Sequence, residues 1–255
     1  MNLRDVLERY KRGEIDEQRV ETLLRLDFLE KIGEHTIFDH AREARRGIPE
    51  VVFGESKTPQ AVADIVERVM CDREVILVSR ARQEHFEAVR QKVPDATYDP
   101  RARMVVVDRR TDRKERGVIG IMTAGSSDIG VAEEARAVAE AMGCRVITAY
   151  DVGVAALHRF MTPLEKMLTE GVDALVVVAG MEGALPTVVS GLCDVPVIGV
   201  PTSVGYGAGG QGKAALLGML QTCSPGMVVV NIDNGVGAGS TAALISIRAR
   251  RKGGE

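Results

Sequence analysis

From Gly117 onward, five uninterrupted apolar runs alternate with helical patterns, and this alternation leaves few ways to fold. The runs are GVIGIM, RVITAY, DALVVVAG, PVIGVPT and GMVVVNI. Each is followed by a helix-like stretch, among them SDIGVAEEARAVAEAMG, closed by Gly143, and the final GAGSTAALISIRARR. A strand that is apolar at nearly every position is covered on both faces, and parallel strands need helical crossovers. The pattern predicts an α/β domain over 117–255, a five-stranded parallel doubly wound sheet. Such sheets take ligands at the carboxyl ends of their strands.

Residues 1–116 read differently, with more charge and less glycine. LRDVLERYKRGEIDEQRVETLLRL predicts two short helices broken near Gly13. PEVVF, EVILVSR and RMVVVDRR predict strands. A helix starts at Thr58-Pro59, with threonine as cap and proline in the first turn. This half is expected to be a smaller N-terminal helical and α/β domain.

Charge narrows the partners. With 36 acids against 33 bases the net charge is −3, so no global field favours nucleic acid or an anionic bilayer. The basic stretch RARMVVVDRRTDRKERG predicts a solvated hairpin or linker. No run reaches the ~18 apolar residues of a membrane helix. Four widely spaced cysteines, Cys71, Cys144, Cys193 and Cys223, form no CxxC pair, so neither disulfides nor a metal site are expected, and the cytoplasm is the expected location.

The residues after each predicted strand form the candidate ligand edge. The first turn holds Thr123, Ser126, Ser127 and Asp128, suited to phosphate and ribose, or to a plain helix cap. Asp151 follows the second strand, with His158 and Arg159 early in the next helix. Arg159 suits a phosphate or carboxylate, and His158 alone reads as a packed or capping histidine. Gly180, Met181, Glu182 and Gly183 follow the third strand. Ser203, Val204, Gly205, Tyr206 and Gly207 follow the fourth, and Asn231, Asp233 and Asn234 the fifth. GYGAGG does not follow the first strand and no GKS/T is present, so dinucleotide-fingerprint and P-loop readings fail. Glu182 closes an apolar run, where burial would strengthen it as a base, whereas the nearby helix start would weaken it.

MTAGSSDIGVAEEA, DVGVAALHRF, VVVAGMEGALPTVVSGL and PVIGVPTSVGYGAGGQGKAALLGMLQTCSPGMVVVNIDNGVGAG together resemble the LarB family of nickel-pincer cofactor biosynthesis proteins. DHAREARRGIPEVVFGESKTP carries a weaker likeness. The family's domain is in turn similar to the aminoimidazole ribonucleotide carboxylase/mutase of purine synthesis. The resemblance implies a flavodoxin-like sheet and a homo-octamer with active sites between subunits. It implies that nicotinic acid adenine dinucleotide is carboxylated at pyridinium C5 by CO2 and its phosphoanhydride hydrolysed, releasing AMP. Cys223 in QTCSPG and Glu182 in GMEGALP fall on the family's nucleophile and base. No tightly bound cofactor is implied. Whether Mg²⁺ assists the hydrolysis stays open, and Asp128, Asp151 and Asp233 are unranked candidates for activating water.

Topology sets a condition. Cys223 lies between a helix end and a strand start, at the sheet edge opposite Glu182, and a helix C-terminus disfavours a thiolate. A neighbouring subunit supplying Cys223, or a loop that folds back, would resolve this. Two other readings remain open: an aminoimidazole ribonucleotide carboxylase or mutase, which needs no thiol, and a non-catalytic nucleotide sensor or scaffold.

Overall fold

The computed structural model describes residues 3–24, 29–32, 36–39, 46–71, 73–112 and 114–252. The resembling stretch DHAREAR therefore lies largely outside the described residues.

Two helices open the chain, α1 (Leu3–Lys11) and α2 (Glu17–Leu24). An antiparallel pair follows, β1 (Leu29–Ile32) and β2 (Thr36–Asp39). Next come β3 (Glu50–Phe53), α3 (Pro59–Val69), β4 (Val75–Ser79), α4 (Gln83–Lys92), β5 (Thr97–Asp99) and β6 (Met104–Asp108). These four strands form a sheet of order β3-β4-β6-β5, parallel between β3 and β4 and antiparallel elsewhere. Thr58 caps α3 as its sequence predicts, its hydroxyl oxygen accepting from the Ala61 amide at 3.2 Å.

The basic stretch around 101–117 needs a correction. Its apolar centre is not solvated: Met104, Val105 and Val107 are buried in strand β6. Only its flanks are charged surface.

The second half holds β7 (Gly117–Thr123), α5 (Ile129–Ala141), β8 (Cys144–Ala149), α6 (His158–Thr169), β9 (Ala174–Ala179) and α7 (Ala184–Ser190). It ends with β10 (Val197–Pro201), α8 (Lys213–Leu220), β11 (Met227–Val229) and α9 (Gly235–Lys252). The five strands form one all-parallel sheet of order β11-β10-β9-β7-β8. Counted within the sheet, that is 2-1-3-4-5 read from the other side, the flavodoxin-like order. The last strand is shorter than the apolar run GMVVVNI, because pairing with β10 stops at Val229.

Alternation along the strands explains the layering. Ile119, Ile121, Val176, Val178, Ile198 and Val200 face one core together with α5 and α9. Val118, Met122, Leu175, Val177 and Val197 face another beneath α6, α7 and α8. The four-stranded sheet repeats the device. Val75, Leu77 and Met104 join the first core, while Ile76, Val78, Val105 and Val107 pack beneath α3 and α4. Five layers result, with α5 and α9 sandwiched between two sheets. The core around these helices crosses residue 116, the boundary expected from composition.

Candidate functional site

The strand order reverses between β7 and β9, so their carboxyl ends flank the switch point. After β7 the chain makes a short 3-10 turn, Ser126–Asp128. Ser126 and Ser127 are exposed there. Asp128 is buried, and both its oxygens are used inside the protein. Oδ2 accepts from the Gly125 amide at 2.9 Å and Oδ1 from the Thr202 hydroxyl at 2.7 Å. Thr123 is also buried, its hydroxyl oxygen accepting from the Asp151 amide at 3.0 Å. Thr123 and Asp128 thus tie neighbouring loops together, and the two serines face outward.

Asp151 follows β8 with a left-handed φ of 57°. Arg159 Nη1 lies 3.6 Å from its carboxylate, and both side chains are more than half exposed. His158 is exposed at the start of α6, not packed as a lone histidine there would suggest.

After β9, Gly180 is buried, and Met181 stands 47% exposed with φ 53°. Glu182 is exposed, so this chain does not supply the burial expected to strengthen it as a base. Its backbone is held against α8. A Cβ on Gly218 would come within 2.5 Å of the Glu182 carbonyl oxygen, and one on Gly183 within 2.8 Å of the Ala215 carbonyl. Gly183 also needs φ 67°. Larger residues would push α8 off this loop.

Cys223 is exposed on the turn after α8. Its surroundings belong to the amino edge of the sheet. Gly226 O accepts from the Val197 amide at the start of β10, and the Ser224 hydroxyl lies 2.8 Å from that of Ser190 at the end of α7. Yet α8 bridges the two edges. Gly218 touches Glu182, and Cys223 is five residues further, on the order of 10 Å at helix and turn rises. The Cys144 thiol, by contrast, is buried in the central core and pushed up to about 11 by desolvation.

The loop after β10, Ser203 to Gly207, is exposed throughout, with Val204 36% and Tyr206 83% accessible and Gly205 and Gly207 at positive φ. It is anchored by Asp233, whose Oδ1 accepts from the Ser203 amide at 2.8 Å. Asn231 folds its side chain onto the Ile232 amide, and Asn234 caps α9 by accepting from the Gly237 amide at 2.8 Å.

Sequence reasoning missed three residues beside this edge. Arg80, directly after β4, donates from Nη2 to the Asp233 carbonyl at 2.8 Å. Phe53 ends β3, 47% exposed. Glu134 on α5 is buried, and desolvation pushes its carboxyl up to about 6 even though it accepts from the Val236 amide at the start of α9. All three line a cavity of about 480 Å³ between the four-stranded sheet and the β11–α9 loop. The only hint in sequence was an arginine directly following a buried strand. Among the described residues no three His, Cys, Asp or Glu side chains gather as a metal cage. Among those residues, too, no helix is long and apolar enough to cross a membrane.

Sheet order makes the second half a flavodoxin-like domain, and its switch point is the candidate ligand edge. Residues 118–252 match the AIR carboxylase family, and residues 29–110 match a LarB/PurE-like N-terminal domain. Over 251 residues the chain is 41% identical to an uncharacterized protein of Methanocaldococcus jannaschii, covering 96% of this chain and 97% of that one. It is 33% identical over 130 residues to a probable N5-carboxyaminoimidazole ribonucleotide mutase of Methanothermobacter thermautotrophicus, 49% of this chain and 36% of that protein. The N5-carboxyaminoimidazole ribonucleotide mutase of Pyrococcus horikoshii is 29% identical over 143 residues, 53% of this chain and 73% of that protein. The chain belongs to the AIR carboxylase superfamily, as a LarB-like protein carrying a carboxylase/mutase-type domain.

Proposed function

We propose that this protein carboxylates the pyridinium C5 of nicotinic acid adenine dinucleotide and hydrolyses the phosphoanhydride, giving pyridinium-3,5-biscarboxylic acid mononucleotide and AMP. The observation that carries the reading is that the thiol of Cys223 and the carboxylate of Glu182 are both accessible, on opposite edges of the sheet, in a chain with a LarB-like N-terminal domain.

The chemistry needs both groups. A pyridinium carbon is electron-poor and does not attack CO2. The Cys223 thiolate adds to C4, and the ring π electrons shift to give a dihydropyridine in which C5 is an enamine carbon. C5 donates its electron pair to CO2, leaving a C6–N1 iminium. Glu182 takes the C5 proton, and that electron pair restores the enamine. Expulsion of the thiolate from C4 then restores the aromatic ring. The net change is ring C–H plus CO2 to ring carboxylate plus a proton. A soft, reversible nucleophile suits this, and an alkoxide would leave poorly. The cationic ring favours the thiolate. Ser126, Ser127 and Arg159 hold phosphate and ribose at the switch point. Water attacks the phosphoanhydride in a separate step, and the P–O–P bond breaks to release AMP.

The site is shared between subunits of a homo-oligomer, an octamer in this reading. Leu217, Leu220 and Val228 lie more than half exposed around the Cys223 turn, and Leu157, Met161 and Tyr206 are likewise exposed near the ligand edge. Exposed apolar residues gathered in this way mark surfaces that another chain covers.

The test is incubation with nicotinic acid adenine dinucleotide and labelled bicarbonate, read by mass spectrometry. AMP and a labelled dicarboxylated mononucleotide are expected, and absence of both overturns the reading. A second reading, an N5-carboxyaminoimidazole ribonucleotide mutase, is favoured by the likeness of the second half to two mutases. It predicts full activity in Cys223→Ser.

A further inference from the structure

The cavity between the two sheets has a chemistry of its own. Its floor is the β11–α9 loop with Ile232, Asp233 and Val236, and its wall is the carboxyl end of β3 and β4 with Phe53, Ser79 and Arg80. Carboxyl edges of both sheets therefore converge on one volume of about 480 Å³. An exposed aromatic ring at a strand end opposite aliphatic side chains makes a slot for a flat ring. Glu134 lines the slot from α5 as an acceptor-only group when ionised. Arg80 stands at the rim, held by the Asp233 carbonyl, with Nη1 only 4.0 Å from Glu55, so its guanidinium keeps donors for a phosphate.

The cavity also adjoins the switch-point edge. Asp233 holds the Ser203 amide, and a Cβ on Gly180, beside Glu182, would meet the Val204 carbonyl at 2.5 Å. From β9 to β11 is two strand spacings, about 10 Å. A ligand that fills both places would cross the exposed Ser203–Gly207 loop.

We propose that this cavity seats the adenosine monophosphate half of the dinucleotide, with the adenine ring against Phe53, its exocyclic amine donating to Glu134, and its phosphate on Arg80. The proposal rests on the carboxylase-hydrolase reading for the identity of the dinucleotide. It assigns a role to the N-terminal sheet, which holds the leaving half while the second sheet holds the reacting half.

The test uses the full chain with AMP and IMP as probes, by isothermal titration calorimetry. AMP binding is expected, with IMP about tenfold weaker because its base presents a carbonyl to the carboxylate where adenine presents an amine. Phe53→Ala should weaken AMP about tenfold, and Glu134→Gln should abolish the preference for AMP over IMP. In the unaltered protein, nuclear Overhauser contacts should join adenine H2 or H8 to the Phe53 ring, a readout independent of variant folding. Equal binding of AMP and IMP, or AMP contacts elsewhere, overturns the site. The two readings fail separately. AMP at Phe53 without carboxylation leaves the site and sinks the reaction, whereas carboxylation with no AMP contact at Phe53 leaves the reaction and sinks the site.

Discussion

Arg80 and Asp233 lie 153 positions apart in sequence, and a 2.8 Å hydrogen bond from Arg80 Nη2 to the Asp233 carbonyl joins them. Both hold left-handed backbone, at φ 53° and 55°. Non-glycine residues persist there only when surroundings over-determine them. The bond fastens the N-terminal sheet to the loop that carries Ser203.

Removing that fastening should be measurable. Arg80→Ala is expected to lower the unfolding free energy by about 2 kcal/mol, the range for a hydrogen bond with a charged donor. Urea denaturation checks it. A change within error would mean that the two halves are held by their shared core alone.

Glu134 predicts a pH dependence. Its folded-state carboxyl is raised from 4.5 to about 6 by desolvation. The folded state therefore binds the proton more tightly, and stability present below pH 4.5 is lost as pH rises through about 6. The loss is about 2 kcal/mol. Glu134→Gln should flatten stability over that window and melt higher than the parent at pH 8. A variant that melts lower at pH 8 would show that the carboxylate's contact with α9 outweighs its desolvation.

The buried Asp128–Thr202 bond joins the first and fourth ligand loops. Thr202→Val keeps shape but leaves a buried carboxylate oxygen without its donor, at a cost of about 2 to 3 kcal/mol. Thermal melts measure the stability, and substrate titration should show weaker binding as Ser126 and Ser127 lose their support.

Sharing of the site between subunits has a direct test. Cys223→Ala and Glu182→Ala proteins should each be inactive in carboxylation. Unfolded and reassembled together in equal amounts, they should regain about one quarter of parental activity, the random frequency of a site taking its intact cysteine and intact glutamate from different chains of a symmetric assembly. No recovery in proven mixed oligomers would put both groups in one chain.

The doubly wound fold was legible because every buried strand is a continuous apolar run, and a parallel sheet covered on both faces demands that pattern. The positions of Ser126, Ser127 and the Ser203–Gly207 loop at the carboxyl edge of the sheet were legible for the same reason, since strand ends fix loop positions. The surroundings of Glu182 were not. Its apolar neighbours in sequence point into the β9 core while its own side chain turns outward past Met181. The capping role of Asp128 was one of two readings its turn allowed, and its bond to Thr202 required knowing that β10 lies two strands from β7. The Arg80 cavity was invisible because its two walls come from halves with different patterns.

The helix Gly235–Lys252 belongs to the middle layer, between the two sheets. A ribosome makes it after both sheets. Until then, Leu77 and Met104 on one side and Ile119 and Val176 on the other have only α5 between them. A chain that lacks this helix therefore carries an open apolar seam between its two sheets. A stop codon a few turns early would leave that seam unsealed in a chain whose strand-end loops are all in place.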